Sequence, residues 1–264
     1  MSREHGWLDV AERIARDAGA VLRDFVGAEL NVARKGAVDL VTEADRRAEA
    51  RIVAAIRDVY PNHAILAEEG GGSAVAGAEA TWVVDPLDGT TNFAHGVPIW
   101  CVSIGVVVEG EPVVGVVYDP SRDECFAARR GDRATLNGTP ISVSRPTRLD
   151  DALLVTGFPY DVRTSPVNNA DHFENFLRSA QGVRRLGSAA LDLCYVAAGR
   201  FDGFWELKLH PWDVAAGGLV VTCAGGVVSD FAGGPWDVFG SETVACSREL
   251  LPDMLAVLSR GRRP

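Results

Sequence analysis

The sequence predicts a mixed α and β fold built from two α/β halves, residues 1–146 and 147–264. Three observations lead there. The first sixty residues carry apolar positions at helical spacing, and residues 82–143 are dense in β-branched strand patterns. Beyond Ser144-Arg145-Pro146 the period changes again, and strands alternate with helices to the end. A chain of 264 residues, 47% apolar and 23% charged, has an ordinary globular composition, with room for one large domain or two smaller ones sharing a cleft.

Each element has its own signal. Trp7, Val10, Ile14, Val21, Leu22 and Phe25 line one face of a helix over residues 7–26. Thr42-Glu43-Ala44-Asp45 resembles a capping box that starts a second helix, which stops near Tyr60 because Pro61-Asn62 follows. Ile65-Leu66-Ala67 reads as a short buried strand ending at Glu68-Glu69, and residues 70–80 as a surface loop. Strands are predicted at Trp82–Val84, Cys101–Val108, Val113–Tyr118, Cys125–Ala128 and Ile141–Val143. Gly110-Glu111-Pro112 and Asn137-Gly138 supply the hairpin turns. In the second half, strands are expected at Leu153–Thr156, Phe204-Trp205, Val227-Val228 and Val244-Ala245. Helices are expected over 168–180, 188–199 (opened by Ser188), 212–223 and 248–259.

Charge and cysteines exclude several function classes. A net charge of −10 argues against sequence-independent nucleic-acid binding, which needs Lys and Arg to displace counterions. The five cysteines are scattered and never form a C-x-x-C pair, so they read as reduced, mostly buried thiols rather than a zinc or disulfide framework. The five histidines never pair at metal spacing. Met1-Ser2-Arg3-Glu4-His5-Gly6 has acidic and polar character and no apolar h-region, so no secretory leader is expected. The longest apolar stretch, Ile99 to Val108, is about half of what a membrane span needs. A cytoplasmic protein with no membrane partner is expected.

The chemistry concentrates at Trp82-Val83-Val84-Asp85-Pro86-Leu87-Asp88-Gly89-Thr90-Thr91-Asn92-Phe93. An apolar run ends on two carboxylates three residues apart and opens into a glycine-threonine turn that can start a helix. Carboxylate oxygens suit hard cations such as Mg²⁺, and free N–H groups at a helix start suit phosphate. Glu68 likewise ends a strand, and Asp213 opens a helix after His210-Pro211-Trp212. Element ends are where such side chains can converge on a cleft.

The stretch from Asp85 to Phe93 resembles the first signature of the inositol monophosphatase family. Asp39-Leu40-Val41-Thr42-Glu43-Ala44-Asp45 and Glu68-Glu69 resemble its two earlier motifs. Gly187-Ser188-Ala189-Ala190 and Trp205-Glu206 resemble its sugar-side segments, and Trp212-Asp213-Val214-Ala215-Ala216-Gly217 its C-terminal signature. The resemblance implies a layered αβαβα sandwich of the sugar-phosphatase type, with the active site in the cleft between the halves. It also implies hydrolysis of myo-inositol monophosphate to inositol and phosphate by metal-activated water, with two to three Mg²⁺ ions. Glu68, Asp85, Asp88 and Asp213, with the Leu87 carbonyl, would be the metal ligands. Glu68 and Thr90 would orient the attacking water, with Asp45 as the hydrogen-bond partner of Thr90. Phosphate and sugar would be held by Asp88, Gly89, Thr90, Gly187, Ser188, Ala189, Glu206 and Asp213. Lys35 resembles a basic loop residue near the third metal position. A homodimer and inhibition by Li⁺ are further implications.

The sequence leaves other readings open. Relatives of the same fold act on fructose 1,6-bisphosphate, histidinol phosphate or 3′-phosphoadenosine 5′-phosphate, and a bisphosphate site should supply basic residues, for which Arg184 and Arg185 are the candidates. A non-catalytic regulatory or binding protein of this fold is the alternative of a different class. Asp237, in an echo of the Pro211-Trp212-Asp213 motif, reads as a turn residue beside Gly233-Gly234.

Overall fold

The computed structural model describes residues 3–26, 33–34, 40–41, 43–70, 72–73 and 75–260. The first half runs α1 (Arg3–Arg23), β1 (Ala33–Arg34), β2 (Leu40–Val41), α2 (Glu43–Val59), β3 (Ala64–Ala67), β4 (Thr81–Asp88), α3 (Thr90–Ala94), β5 (Cys101–Val108), β6 (Glu111–Asp119), β7 (Glu124–Arg129), β8 (Thr135–Leu136) and β9 (Thr139–Pro140). The second half runs β10 (Leu153–Thr156), α4 (Ala170–Leu177), β11 (Gly182–Arg184), α5 (Ala189–Ala197), β12 (Gly203–Leu207), α6 (Pro211–Cys223), β13 (Val227–Ser229), β14 (Glu242–Cys246) and α7 (Leu251–Leu258). Lys35, Asp39 and Thr42 lie outside the described residues.

Two sheets organise the core. The first has the order β3-β4-β5-β6-β7-β8-β9, with β3 and β4 parallel and the rest antiparallel. The second has the order β11-β10-β12-β14-β13, with β10 parallel to both of its neighbours. The outer face of the first sheet buries the apolar stripes of α1 and α2, where Ile14, Leu22, Ile52 and Ile56 meet Trp82, Ile104 and Val116. Between the sheets lie α5 and α6, almost wholly buried and largely apolar apart from Asp192 and Asp213 in their first turns. The far face of the second sheet is covered by α4 and α7, with Phe176, Met254 and Val257 against Leu154, Trp205 and Val244. The layers are therefore α, β, α, β, α, as the sandwich requires.

The central layer is thin because its residues are small. A side chain at Gly105 would meet the Ala215 Cβ at 2.9 Å, and one at Gly115 would meet the Ala216 Cα at 2.9 Å. Ala215-Ala216-Gly217-Gly218 thus lets α6 lie directly on β5 and β6, and most of the C-terminal signature after Asp213 serves packing rather than chemistry.

Three elements depart from expectation. β4 does not stop at Val84 but continues through Asp85-Pro86-Leu87-Asp88, with a shift of register against β5 between Asp85 and Asp88. Residues 141–143 are not a strand. The chain instead forms the β8–β9 hairpin around Asn137 and Gly138, both at positive φ, and then leaves the sheet. The Ile141 N–H donates to Ala134, and that of Val143 to Ala224 at the end of α6. The turn between β5 and β6 falls on Glu109-Gly110, leaving Glu111-Pro112 inside β6.

Candidate active site

Sheet register brings the carboxylates together. β3 runs parallel to β4, pairing Ala67 with Val84, and the Glu68 N–H donates to the Val84 carbonyl at 3.2 Å, so Glu68 sits beside Asp85. On the other side Asp85 pairs with Ser103 of β5. The Ser103 hydroxyl donates to the Trp212 carbonyl at 2.9 Å, which ties the first turn of α6 to the sheet and brings Asp213 to Asp85. The result is a group of three carboxylates, Asp85, Asp88 and Asp213, with oxygens within 4.8 Å of one another.

Each carboxylate is held by local hydrogen bonds. Asp85 Oδ1 accepts from the Leu87 N–H at 2.9 Å. Asp88 Oδ2 accepts from the Ser188 hydroxyl at 2.7 Å and the Ala190 N–H at 2.8 Å, and the Cys101 thiol lies 3.8 Å away. Asp213 Oδ2 accepts from the His210 N–H at 2.7 Å, capping α6. These bonds do not neutralise the cluster. Burial, then Glu68, Asp88, Asp213 and Asp45 in turn, push the pKa of Asp85 well above the usual carboxylate range. Asp213 is raised well above that range by burial, Asp88, Glu68 and Glu206. Asp88 is raised by burial, and the hydrogen bonds from Ser188 and Ala190 oppose the shift. Like charges this close favour a bound proton or a bound cation. An all-oxygen donor set suits a hard divalent ion, so the residues present fit Mg²⁺.

Beside this cluster the chain turns sharply. Gly89 sits at φ 94°, the left-handed region open to glycine, and a side chain there would meet the Ile99 carbonyl at 2.8 Å. α3 begins at the next residue, and the Thr90 hydroxyl donates to the Leu87 carbonyl at 3.0 Å. Asp45 is buried near the start of α2 and acts on Asp85.

The cleft continues to the second half. Asp88, Gly89 and Thr90 line it together with Ser188, Glu206 and Asp213. Gly187 and Ala189 lie along the same wall. Glu206, on β12, is 6% exposed and its pKa is pushed up to about 8 by burial and by Asp88, with Arg185 opposing the shift. Gly157 leaves no space for a Cβ beside the Glu206 carboxylate. Arg185 lines the cleft; Arg184 is exposed and donates to the Val183 carbonyl at 3.2 Å. Asp237 lies in a turn, accepting from the Phe239 N–H at 2.9 Å.

The two walls are also joined by a residue to which the motifs assign no role. Asn92 Nδ2 donates to the Ile99 and Leu186 carbonyls, both at 2.8 Å, and so clamps α3 to the segment before Gly187. Ser103 is equally inconspicuous, a polar residue in an apolar strand. A buried hydroxyl breaking such a run is the one signal that points to it.

A family model described as the inositol monophosphatase family matches residues 4–261. This chain belongs to the inositol monophosphatase family. An inositol-1-monophosphatase of Synechocystis sp. is 46% identical over 254 residues, covering 96% of this chain and 88% of the relative. A Pseudomonas aeruginosa protein named Nus factor SuhB is 51% identical over 237 residues, covering 86% of each. The solved inositol monophosphatase of Anabaena (Nostoc) sp. PCC 7120 superposes with a TM-score of 0.90 at 41% identity, covering 98% of this chain and 97% of that one. Membership supports a metal-dependent phosphatase. Among the described residues, no helix is long and apolar enough to cross a membrane.

Proposed function

We propose that the protein is a Mg²⁺-dependent phosphatase that hydrolyses myo-inositol monophosphate to inositol and phosphate. The observation that carries this reading is the convergence of Asp85, Asp88 and Asp213 within 4.8 Å, beside the start of α3 and in one cleft with Glu206. Asp85, Asp88, Asp213 and Glu68, with the Leu87 carbonyl, would hold the Mg²⁺. When bound, Mg²⁺ supplies positive charge for the phosphate oxygens and lowers the pKa of water.

The remaining work falls to the chain itself. The Gly89 and Thr90 N–H groups bind phosphate oxygens at the start of α3. The Thr90 hydroxyl and Glu68 orient the attacking water in line with the ester bond, and Asp45, whose charge acts on Asp85, completes the catalytic set. Water attacks phosphorus as the bond to the inositol oxygen breaks, so no phosphoenzyme is needed. Glu206 and Asp88 accept hydrogen bonds from ring hydroxyls, and Gly187, Ser188 and Ala189 line the other side of the ring.

A monophosphate is favoured over a bisphosphate by the supply of cations. Among the described residues lining the cleft, Arg185 and Lys208 carry positive charge, and Lys208 Nζ is already paired with Asp161 at 2.7 Å. Phosphate release from a panel containing inositol 1-phosphate, fructose 1,6-bisphosphate, histidinol phosphate and 3′-phosphoadenosine 5′-phosphate tests the reading. Faster turnover of any other ester than of inositol 1-phosphate would sink it. The homodimer, the cytoplasmic location and inhibition by Li⁺ belong to the same proposal.

A second reading, a binding role beside catalysis, is favoured by one observation, the Nus factor name of the 51% identical relative. Every carboxylate of the cluster is nevertheless present here.

A further inference from the structure

One buried acid in the cleft has no part in the reaction above. Asp192 lies in the first turn of α5, just past Ser188 and Ala189, with its backbone N–H bonded to the Ser188 carbonyl at 3.0 Å. The residue is 1% exposed and lines the same cleft as Ser188 and Glu206. Its Oδ1 has no hydrogen-bond partner among the described residues. The groups acting on it are Glu206 and Asp88, which disfavour its charge, and Arg185, which favours it.

An acid near a helix start has a routine explanation in the helix dipole. That explanation fails to account for burial next to other carboxylates with an oxygen left unpaired. Buried acceptors of this kind cost free energy, and folded proteins retain few of them. Burial and the neighbouring Glu206 push the pKa of Asp192 well above the usual range. A carboxyl group holding its proton both donates and accepts, which suits a hydroxyl partner.

We infer that Asp192 is a specificity-determining residue whose Oδ1 hydrogen-bonds a hydroxyl of the substrate, next to the hydroxyl bound by Glu206. The inference rests on reading the cleft as a phosphate monoesterase. It narrows the substrate class to polyol phosphates with at least two free hydroxyls placed to meet two neighbouring carboxyl groups. Esters without them leave one or both buried acids unpaired, and sites of that design discriminate strongly.

The test compares kcat/KM for inositol 1-phosphate, glycerol 2-phosphate and phenyl phosphate in wild type, Asp192→Ala and Asp192→Asn. Asp192→Ala is expected to lose about tenfold to a hundredfold more on the hydroxylated esters than on phenyl phosphate. Asp192→Asn retains a donor and an acceptor in the same shape and is expected to keep most of the preference. Asp192→Leu, which removes the unpaired oxygen, is expected to melt at the wild-type temperature or above. Equal losses on all three esters, or a lowered melting temperature in Asp192→Leu, would overturn the assignment. If wild type prefers glycerol 2-phosphate to inositol 1-phosphate, the inositol reading fails while the Asp192 ratio is still read on glycerol 2-phosphate. If wild type prefers neither hydroxylated ester to phenyl phosphate, the Asp192 inference itself falls.

Discussion

Replacing Glu206 with Gln keeps the shape of the side chain and removes its proton equilibrium. Burial and the neighbouring Asp88 raise the pKa of Glu206 from 4.5 to about 8. Between those values the folded chain holds a proton that the unfolded chain has released, so unfolding is favoured as pH rises. The stability from this group is fully present below pH 4.5 and is lost progressively as pH climbs towards 8. Each pH unit in that window is worth about 1.4 kcal/mol, so going from about pH 5 to about pH 7 costs wild type about 3 kcal/mol through this residue alone. The glutamine side chain has no proton to lose and no such dependence. Urea unfolding of EDTA-treated wild type and Glu206→Gln at about pH 5, 6 and 7, followed by tryptophan fluorescence beside the buried Trp205, measures the difference. The variant is expected to gain on wild type steadily as pH rises. Parallel stability curves over that range would refute the argument.

Gly89→Ala places a Cβ at φ 94° and 2.8 Å from the Ile99 carbonyl, and is expected to cost about 1–3 kcal/mol along with most of the activity. Urea unfolding and phosphate release read the two effects. Asn92→Ala leaves the Leu186 carbonyl without its donor and frees α3 from the segment before Gly187; a loss of about 1–3 kcal/mol is expected. Its kcat/KM should fall further than that of an exposed control such as Asn62→Ala. Mg²⁺ at about a hundred times its dissociation constant should stabilise the folded chain by about 2.7 kcal/mol. Melting temperature with and without EDTA reads this, and an unchanged value would contradict metal binding by the folded chain.

Most strands are legible in the sequence because their residues are β-branched and alternate with clear turns, as in Cys101–Val108. The end of β4 is not, because Asp-Pro ordinarily breaks a ladder. Here Asp85 accepts from the Leu87 N–H, so the irregular step between Asp85 and Asp88 supplies its own bonding. Residues 141–143 look like a strand in composition, but their N–H groups are drawn to Ala134 and Ala224, a tertiary choice with no local signal. The layered order comes from resemblance to a family; its physical cause, small residues facing Gly105 and Gly115, becomes visible only once α6 lies on the sheet. In the site, Asp85, Asp88 and Asp213 converge as the motifs suggest, whereas Glu68 stands outside the tightest group and is felt through its charge on Asp85. Asp192 is silent in the sequence because an acid in the first turn of a helix needs no special explanation there.

On the proposed reading, the carboxylates at the end of β4 and the start of α6 bind Mg²⁺ for phosphate ester hydrolysis. Asp85→Asn tests it most directly, because Asp85 lies between Glu68 and Asp213 and its replacement keeps side-chain size. Mg²⁺-dependent phosphate release from inositol 1-phosphate is expected in wild type, absent with EDTA, and reduced by about a hundredfold or more in Asp85→Asn at any Mg²⁺ concentration. Wild-type activity that survives EDTA, or full activity in Asp85→Asn, would contradict the account.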